Sequence, residues 1–403
     1  MNGVIRMRDV ETDKELANFG KSDAGHRFLS MTNSGNLLAS GSWSDPLTVW
    51  NINPQRLLWS VDKGPRDLIS SLALSSDGML VAAGMEREMS TGYSATRIVL
   101  RDVGTGSVRH RFGGHDARVV AVVFSPDNKT LASGTSDIRL WELLAGKERC
   151  RIAAATLCLA ISPNGKILAS GGDNNIVHLW ELASGRELGR FAGHQDLIQS
   201  LRFSPDGKRL ASGSRDSTVL IWDVVTLLAQ VAPRQLTLST KETAELWNDL
   251  SDSDAPRAYR AIGILSSAPA ETVPLLRQRL QPATEKETQP LKTFIADLNS
   301  DEFNTRDRAM DGLSRLGVTA WPALRAALAN KPSPEARQRI EQLLASRVQA
   351  PSPEVLRISR AIEILEQIGT AAADSLLSAL ARGSPEAWAT QEARAAHERL
   401  NKR

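Results

Sequence analysis

Two sets of residues in this 403-residue chain have the types from which a nucleophilic site is built. His115, Ser133 and Asp137 are spaced by 18 and 4 positions, and His194, Ser212 and Asp216 repeat both spacings. A hydroxyl, an imidazole and a carboxylate brought together make a triad, in which the imidazole takes the serine proton and the carboxylate orients the imidazole. A triad, however, is one exposed site. Here the same types return 79 positions later, each set followed by a tryptophan, Trp141 or Trp222. Recurrence at a structural period reads as architecture, a buried polar set that fixes one packing once every group is satisfied.

Other chemistry is missing. The chain has no Gly-rich phosphate loop with its lysine, no dinucleotide fingerprint and no Gly-x-Ser-x-Gly elbow. His178 falls in a strand-like segment, His110 and His397 stand alone, and no two histidines flank a glutamate at helical spacing. Cys150 and Cys158 cannot by themselves form a four-ligand zinc site or a disulfide framework, and they read as small buried hydrophobes. The sequence therefore implies no catalytic residue, no cofactor and no metal.

The elements that must position the two sets are themselves repeats. Phe124-Ser125-Pro126-Asp127 returns as Ile161-Ser162-Pro163-Asn164 and Phe203-Ser204-Pro205-Asp206. Leu-Ala-Ser-Gly occurs at 38–41, 131–134, 168–171 and 210–213, and units close on Trp50, Trp141, Trp180 and Trp222. A weaker copy closes on Leu100-Arg101-Asp102, with Leu100 in the tryptophan position. Closing positions 50, 100, 141, 180 and 222 give periods of 50, 41, 39 and 42 residues. Within a unit, the β-branched run Val119 to Phe124 stops at a Ser-Pro-Asp turn. Thr130 to Ser133 follows, Ile138 to Trp141 alternates, and stretches such as Gly185 to Leu188 supply a fourth strand. Four short strands every 40-odd residues describe a propeller blade.

These motifs resemble WD40-repeat β-propellers, whose Gly-His signature is present at Gly25-His26, Gly114-His115 and Gly193-His194. The resemblance implies a buried hydrogen-bonded set in each blade: His115, Ser133, Asp137 and Trp141 in the third, and His194, Ser212, Asp216 and Trp222 in the fifth. Blade four departs from the pattern, with no Gly-His and Asn174 aligned with the aspartate. Blade two lacks both Gly-His and Trp and is expected to be the loosest. Ile5 to Val10 resembles a closing strand with Met7 in the tryptophan position, and Lys14 to Phe19 an outer strand. The expectation for residues 1–230 is thus a leading half blade and five full blades. Seven is the family's common number. Truncation is the favoured reading of the shortfall, against an open arc completed by a partner or a second copy, or a small strained ring. Blade two also carries an insertion, Met85 to Tyr93, expected to be a polar loop.

After a linker at 231–234 the pattern turns helical over residues 235–403. Asp249-Leu250, Arg260, Leu265, Pro274 and Leu280 recur 48 positions later, and Arg308, Leu313, Gly317 and Leu328 recur 52 beyond that. Ile358, Ala361, Ile362 and Leu365 share one helical face. Ser-Pro-Glu at 333–335 and 384–386 reads as a helix start, and Gly317 and Gly369 as helix ends. Trp247, Trp321 and Trp388 are expected in the core. Helix pairs at this period resemble HEAT-like solenoids. A β-propeller followed by such a helical tail is similar to large bacterial WD40 repeat proteins of planctomycetes.

Lys and Arg number 49 and Asp and Glu 46, a net charge of +3. Neither half has the basic excess of a nucleic-acid binder, so no nucleic-acid partner is expected. No apolar run approaches the roughly 18 residues that would span a bilayer, and the opening residues lack a signal-peptide apolar core. A cytoplasmic protein without a membrane partner is expected. The leading reading is a non-enzymatic protein–protein interaction scaffold. The alternative is a regulatory or targeting fragment of a larger enzyme or signalling protein whose N-terminal part is missing. Family resemblance marks Asp116, Arg118, Gln195 and Asp196 as partner-contact positions. Glu86, Arg87 and Tyr93 join them because loops on a rigid scaffold commonly bind.

Overall fold

A computed structural model describes residues 3–22, 26–32, 34–43, 45–61, 67–88, 94–231, 236–345 and 350–402. The chain divides into two compact units, Met1–Val231 and Ala232–Arg403.

The first unit is a series of antiparallel sheets. β1 (Gly3–Arg8) and β2 (Glu15–Ser22) form a two-stranded leading sheet. Blade one is β3 (Phe28–Met31), β4 (Leu37–Gly41), β5 (Leu47–Asn51) and β6 (Arg56–Val61). Blade two is β7 (Asp67–Leu74), β8 (Leu80–Glu88), β9 (Ser94–Asp102) and β10 (Val108–Gly113). Blade three is β11 (Ala121–Phe124), β12 (Thr130–Gly134), β13 (Ile138–Glu142) and β14 (Lys147–Ile152). Blade four is β15 (Cys158–Ile161), β16 (Ile167–Gly171), β17 (Ile176–Glu181) and β18 (Glu187–Ala192). Blade five has three strands, β19 (Ile198–Phe203), β20 (Arg209–Ser214) and β21 (Val219–Asp223).

The expected five full blades are therefore four full blades and one three-stranded blade. The cause is local. In blades two to four the fourth residue after the Asp or Glu that ends the third strand has positive φ, Gly106 (70°), Gly146 (65°) and Gly185 (70°), as does Asp13 (53°), fourth after the Asp9 that follows β1. That left-handed residue turns the chain back into an outer strand. In blade five the equivalent residue is Leu227. Asp223 instead caps a helix, accepting from Thr226 N, and the chain continues as α1 (Val224–Ala229).

Register corrects two more expectations. Leu131, Leu168 and Leu210 lie opposite Trp141, Trp180 and Trp222, and in blade two Val81 lies opposite Arg101. Arg101, rather than Leu100, holds the tryptophan position. Glu187 and Glu148 lie opposite Trp180 and Trp141, and Glu15 lies opposite Arg8, so Arg8 rather than Met7 is the leading-sheet equivalent. The insertion in blade two is partly ladder: β8 and β9 pair out to Glu88 opposite Ser94, so 85–88 extend the hairpin. Residues 89–93 of that insertion lie outside the described residues.

The second unit is helical: α2 (Thr240–Asp249), α3 (Ala255–Ser266), α4 (Pro269–Arg279), α5 (Glu285–Asp297), α6 (Phe303–Leu316), α7 (Trp321–Ala329), α8 (Pro334–Ala345), α9 (Pro353–Ile368), α10 (Ala371–Leu380) and α11 (Trp388–Asn401). Ser352 caps α9 by accepting from Val355 N, Ser333 accepts from Ala336 N, and Gly369 ends α9 at φ 61°. Ser384-Pro385-Glu386 does not start a helix. Ser384 is buried 2.7 Å from the Thr288 hydroxyl, and α11 begins at Trp388. Trp247 is buried in one core, Trp321 is partly buried against a second, and Trp388 is half-buried.

The sequence repeats do not stack in order as a solenoid requires. One core joins Trp247, Leu250, Ile262, Leu265 and Leu276 to Ile362, Leu365, Leu377 and Ala393, that is, α2–α4 to α9–α11. A separate core joins Leu298, Leu313, Leu324 and Ile340 of the intervening segment. Arg360, fully buried, locks the first of these by donating to Leu250 O and Asp252 O at 2.7 and 2.8 Å.

Candidate functional site

The structure brings both histidine sets together. Trp141 Nε1 donates to Ser133 Oγ at 2.7 Å, Ser133 Oγ lies 2.7 Å from His115 Nε2, and His115 Nδ1 lies 3.0 Å from Asp137 Oδ1. A carboxylate only accepts, so Nδ1 carries the ring proton and Ser133 donates to Nε2. The fifth blade repeats this: Trp222 Nε1 to Ser212 Oγ at 2.8 Å, Ser212 to His194 Nε2 at 2.7 Å, and His194 Nδ1 to Asp216 Oδ2 at 2.9 Å. Each is the hydrogen-bond order of a triad. Both serines are buried, and each oxygen already accepts from an indole, so neither is open to the approach of a substrate.

Each charge has a physical cause. Burial pushes the Asp137 carboxyl up, but Arg139, His115 and Arg151 outweigh it and hold it below the usual range. Burial lowers the His115 pKa, against the pull of Asp137. Asp216 is held well below the ordinary carboxylate range, first by the Thr218 hydroxyl and then by Gln195 N.

Blade four keeps only part of the set. Trp180 Nε1 donates to Ser170 Oγ at 2.8 Å, while Asn174 bonds His178 Nε2 at 2.9 Å. Cys150 and Cys158 are free thiols, and burial pushes Cys158 up to about 12. Among the described residues no His, Cys, Asp and Glu side chains group to hold a metal ion. No helix among them is long and apolar enough to cross a membrane.

The marked partner-contact residues separate. Arg118 Nε donates to Glu86 Oε2 at 2.6 Å, joining the segment before β11 to the end of β8. Asp116 lies 3.8 Å from Arg151. Gln195 N is used on Asp216, and Asp196 accepts from Leu197 N. Arg87 is placed by its backbone pairing with Ala95, and Tyr93 lies outside the described residues.

The sequence reading missed what stands beside Arg118. Trp43, in the turn between β4 and β5, is 39% exposed. The Arg27 guanidinium lies 3.8 Å from its ring centroid and that of Arg118 5.3 Å away. Blades one, two and three thus contribute Arg27 and Trp43, Glu86, and Arg118 to one exposed cluster. Cation–π contacts contribute about 0.5–1 kcal/mol each at exposed sites, and Trp and Arg dominate the residues that carry binding energy. The available signal was Trp43 itself, an aromatic in a Ser-Trp-Ser-Asp turn with no place in the closing-Trp period.

Comparison with known proteins agrees with this geometry over part of the chain. The model of the WD domain, G-beta repeat, matches residues 106–142, 153–181 and 185–223. The chain is similar to Autophagy-related protein 16 of Arabidopsis thaliana, 29% identical over 216 residues, 50% of this chain and 40% of the relative. It is similar to U3 small nucleolar RNA-interacting protein 2 of Homo sapiens, 31% identical over 106 residues, 22% of each chain. It is also similar to Periodic tryptophan protein 2 of Arabidopsis thaliana, 30% identical over 138 residues, 33% of this chain and 14% of the relative. The chain spans less than half the length of each, and all three are eukaryotic, not bacterial. The matched segments run from an outer strand or the segment after it to the next closing strand, and residues 106–223 carry WD40 repeats.

Proposed function

We propose that this chain is a non-enzymatic protein-interaction scaffold, and that it takes a protein partner on the Arg27–Trp43–Glu86–Arg118 cluster. The observation that carries the reading is Trp43, exposed yet held between two guanidiniums from different blades. A large aromatic held in place loses little freedom on binding, which favours its use as an anchor. WD40 repeats mediate protein–protein interaction as a rule, and the burial of Ser133 and Ser212 speaks against acyl transfer. The helical repeats are read as a second interaction module.

The test is affinity purification from native lysate with the wild-type chain, Trp43→Ala and Arg118→Glu. Proteins enriched by the wild type should be lost by both variants while their circular dichroism stays unchanged. Equal recovery by all three would move the partner site elsewhere, and no enrichment at any salt concentration would remove the scaffold reading.

A further inference from the structure

The last sheet of the first unit differs from the others on the face that would meet a following blade. In blades three and four the third-strand residues on that face, Ile138, Leu140, Val177 and Leu179, are 0% exposed. The equivalents in β21, Val219 and Ile221, are 69% and 60% exposed. Register shows more than missing cover. Ala160, Ala169 and Leu179 lie across blade four in one row, and Arg202, Ala211 and Ile221 lie in the same row of blade five. Ile167 lies opposite Glu181, and its equivalent Arg209 lies opposite Asp223. Two positions that pack apolar side chains between blades therefore hold arginines here, both exposed. Such a face is poorly suited to a further blade of the same kind. It has the anatomy of a binding surface, apolar at the centre and charged at the rim.

The edge is open too. The other four blades pair their third strand with a fourth, whereas among the described residues β21 pairs only with β20 because the chain leaves through α1. An unpaired strand edge is a template for an added strand. Beside it lies a groove of about 600 Å³ lined by Lys208, Arg209, Ile221, Trp222, Asp223 and Val225. Val225 is exposed as well. The one carboxylate there, Asp223, is engaged in capping α1 through Thr226 N and Oγ1. Those bonds and Arg209 hold Asp223 ionised, so Lys208 and Arg209 leave the groove lining with a net charge of +1.

We propose that β21 accepts, as its fourth strand, an extended acidic segment of another protein. The segment's backbone completes the ladder, its alternate apolar side chains cover Ile221 and Val225, and its carboxylates meet Lys208 and Arg209. This surface is separate from the Trp43 cluster, and either can fail without the other.

The test uses the full chain and fluorescein-labelled peptides as long as β2, 8 residues, of alternating Glu and Val, alternating Lys and Val, and the Glu-Val sequence with a central proline. The Glu-Val peptide should bind saturably by anisotropy and more weakly as salt rises. Affinity should fall about tenfold or more in Lys208→Glu/Arg209→Glu and in Ile221→Asp, and stay unchanged in Trp43→Ala. The proline peptide should not bind, since it breaks the ladder. The exposed positions leave folding intact, which circular dichroism checks. Three results would overturn the proposal: no binding by the Glu-Val peptide, equal binding by the Lys-Val peptide, or a sedimenting dimer that Ile221→Asp dissolves. The last would make a second copy of this chain the occupant.

Discussion

In blade three, Leu131 lies opposite Trp141 and the buried Ser133 joins that indole to His115 and Asp137; in blade two, Val81 lies opposite Arg101 and the serine position is Ala83. Both strands of blade two still bury Val81, Ala82, Ala83, Ile98 and Leu100 almost completely. The Arg101 head group reaches out to Gly106 O at 2.7 Å. A second polar device is shared: Asp102 holds Arg109 at 2.7 Å, and Glu142 holds Arg149 at 3.2 Å, all four buried. The difference is thus confined to one set of positions, and those positions changed together. A buried serine without its indole and imidazole would be an orphaned hydroxyl, costing about 1–3 kcal/mol. Losing the whole set leaves no serine hydroxyl to satisfy, since Ala83 stands in its place. The set is complete in blades three and five, missing from blade two and reduced to the Trp180–Ser170 bond in blade four.

The largest effect expected from that view follows Asp137→Ala. His115 Nδ1 and the two arginines around Asp137 lose their shared acceptor, and breaking a buried ion pair from one side costs about 3–5 kcal/mol. Arg139 keeps Glu148 at 3.0 Å, which places the expected loss near the lower end. Native-state hydrogen exchange should show it in the amides of β12 and β13, with those of β8 and β9 changed far less. Equal acceleration in blade two would mean that the blades open as one body and that the comparison has no local content.

A smaller pair of substitutions sharpens the contrast. Ser133→Ala orphans Trp141 Nε1 and His115 Nε2, at a cost of about 2 kcal/mol. The reverse change, Ala83→Ser, removes no bond, yet should also destabilise, by about 1 kcal/mol, because its hydroxyl enters an apolar site. Ser212→Ala should cost less than Ser133→Ala, since Trp222 is only half-buried and water can reach its indole. The measurement is the urea midpoint of each variant. A stabilising Ala83→Ser would show that blade two retains partners for the set.

The legibility of these features in the sequence followed how local their causes are. The strands, turns and closing tryptophans of blades three to five could be placed because Ser-Pro-Asp turns and alternating strands are short-range signals. Leu100 and Met7 were assigned the tryptophan position, one residue short of Arg101 and Arg8, because both copies lack the indole that marks it and the strand pairing is what fixes the register. The missing fourth strand of blade five left a signal: Leu227 occupies a site that is a left-handed Asp or Gly in the leading sheet and blades two to four, although blade one turns back without one. The pairing of α3 with α9 was not legible, since identical apolar faces on repeats one, two and three do not say which will meet. Trp43 gained meaning only once Arg27 and Arg118 were seen to converge on it from separate blades.

The smallest expected effect is a slope with pH. Burial holds the His115 pKa below its ordinary value of about 6.5. As pH falls through that ordinary value, the unfolded chain takes up the proton before the folded one does, so stability declines with acidity until the folded pKa is reached. Asp137, also lowered, adds a second loss in the acid range, where the unfolded carboxyl protonates first. His26 and His110 are lowered by burial and act with the same sign as His115. His115→Gln should therefore flatten the stability profile between about pH 7 and 5, by at most about 1.4 kcal/mol per pH unit, without abolishing the slope. Blade two has no histidine at this position, so the change should leave the exchange of β8 and β9 alone. A parallel profile in the variant would mean that His115 is equally protonated in both states, the pull of Asp137 cancelling the effect of burial.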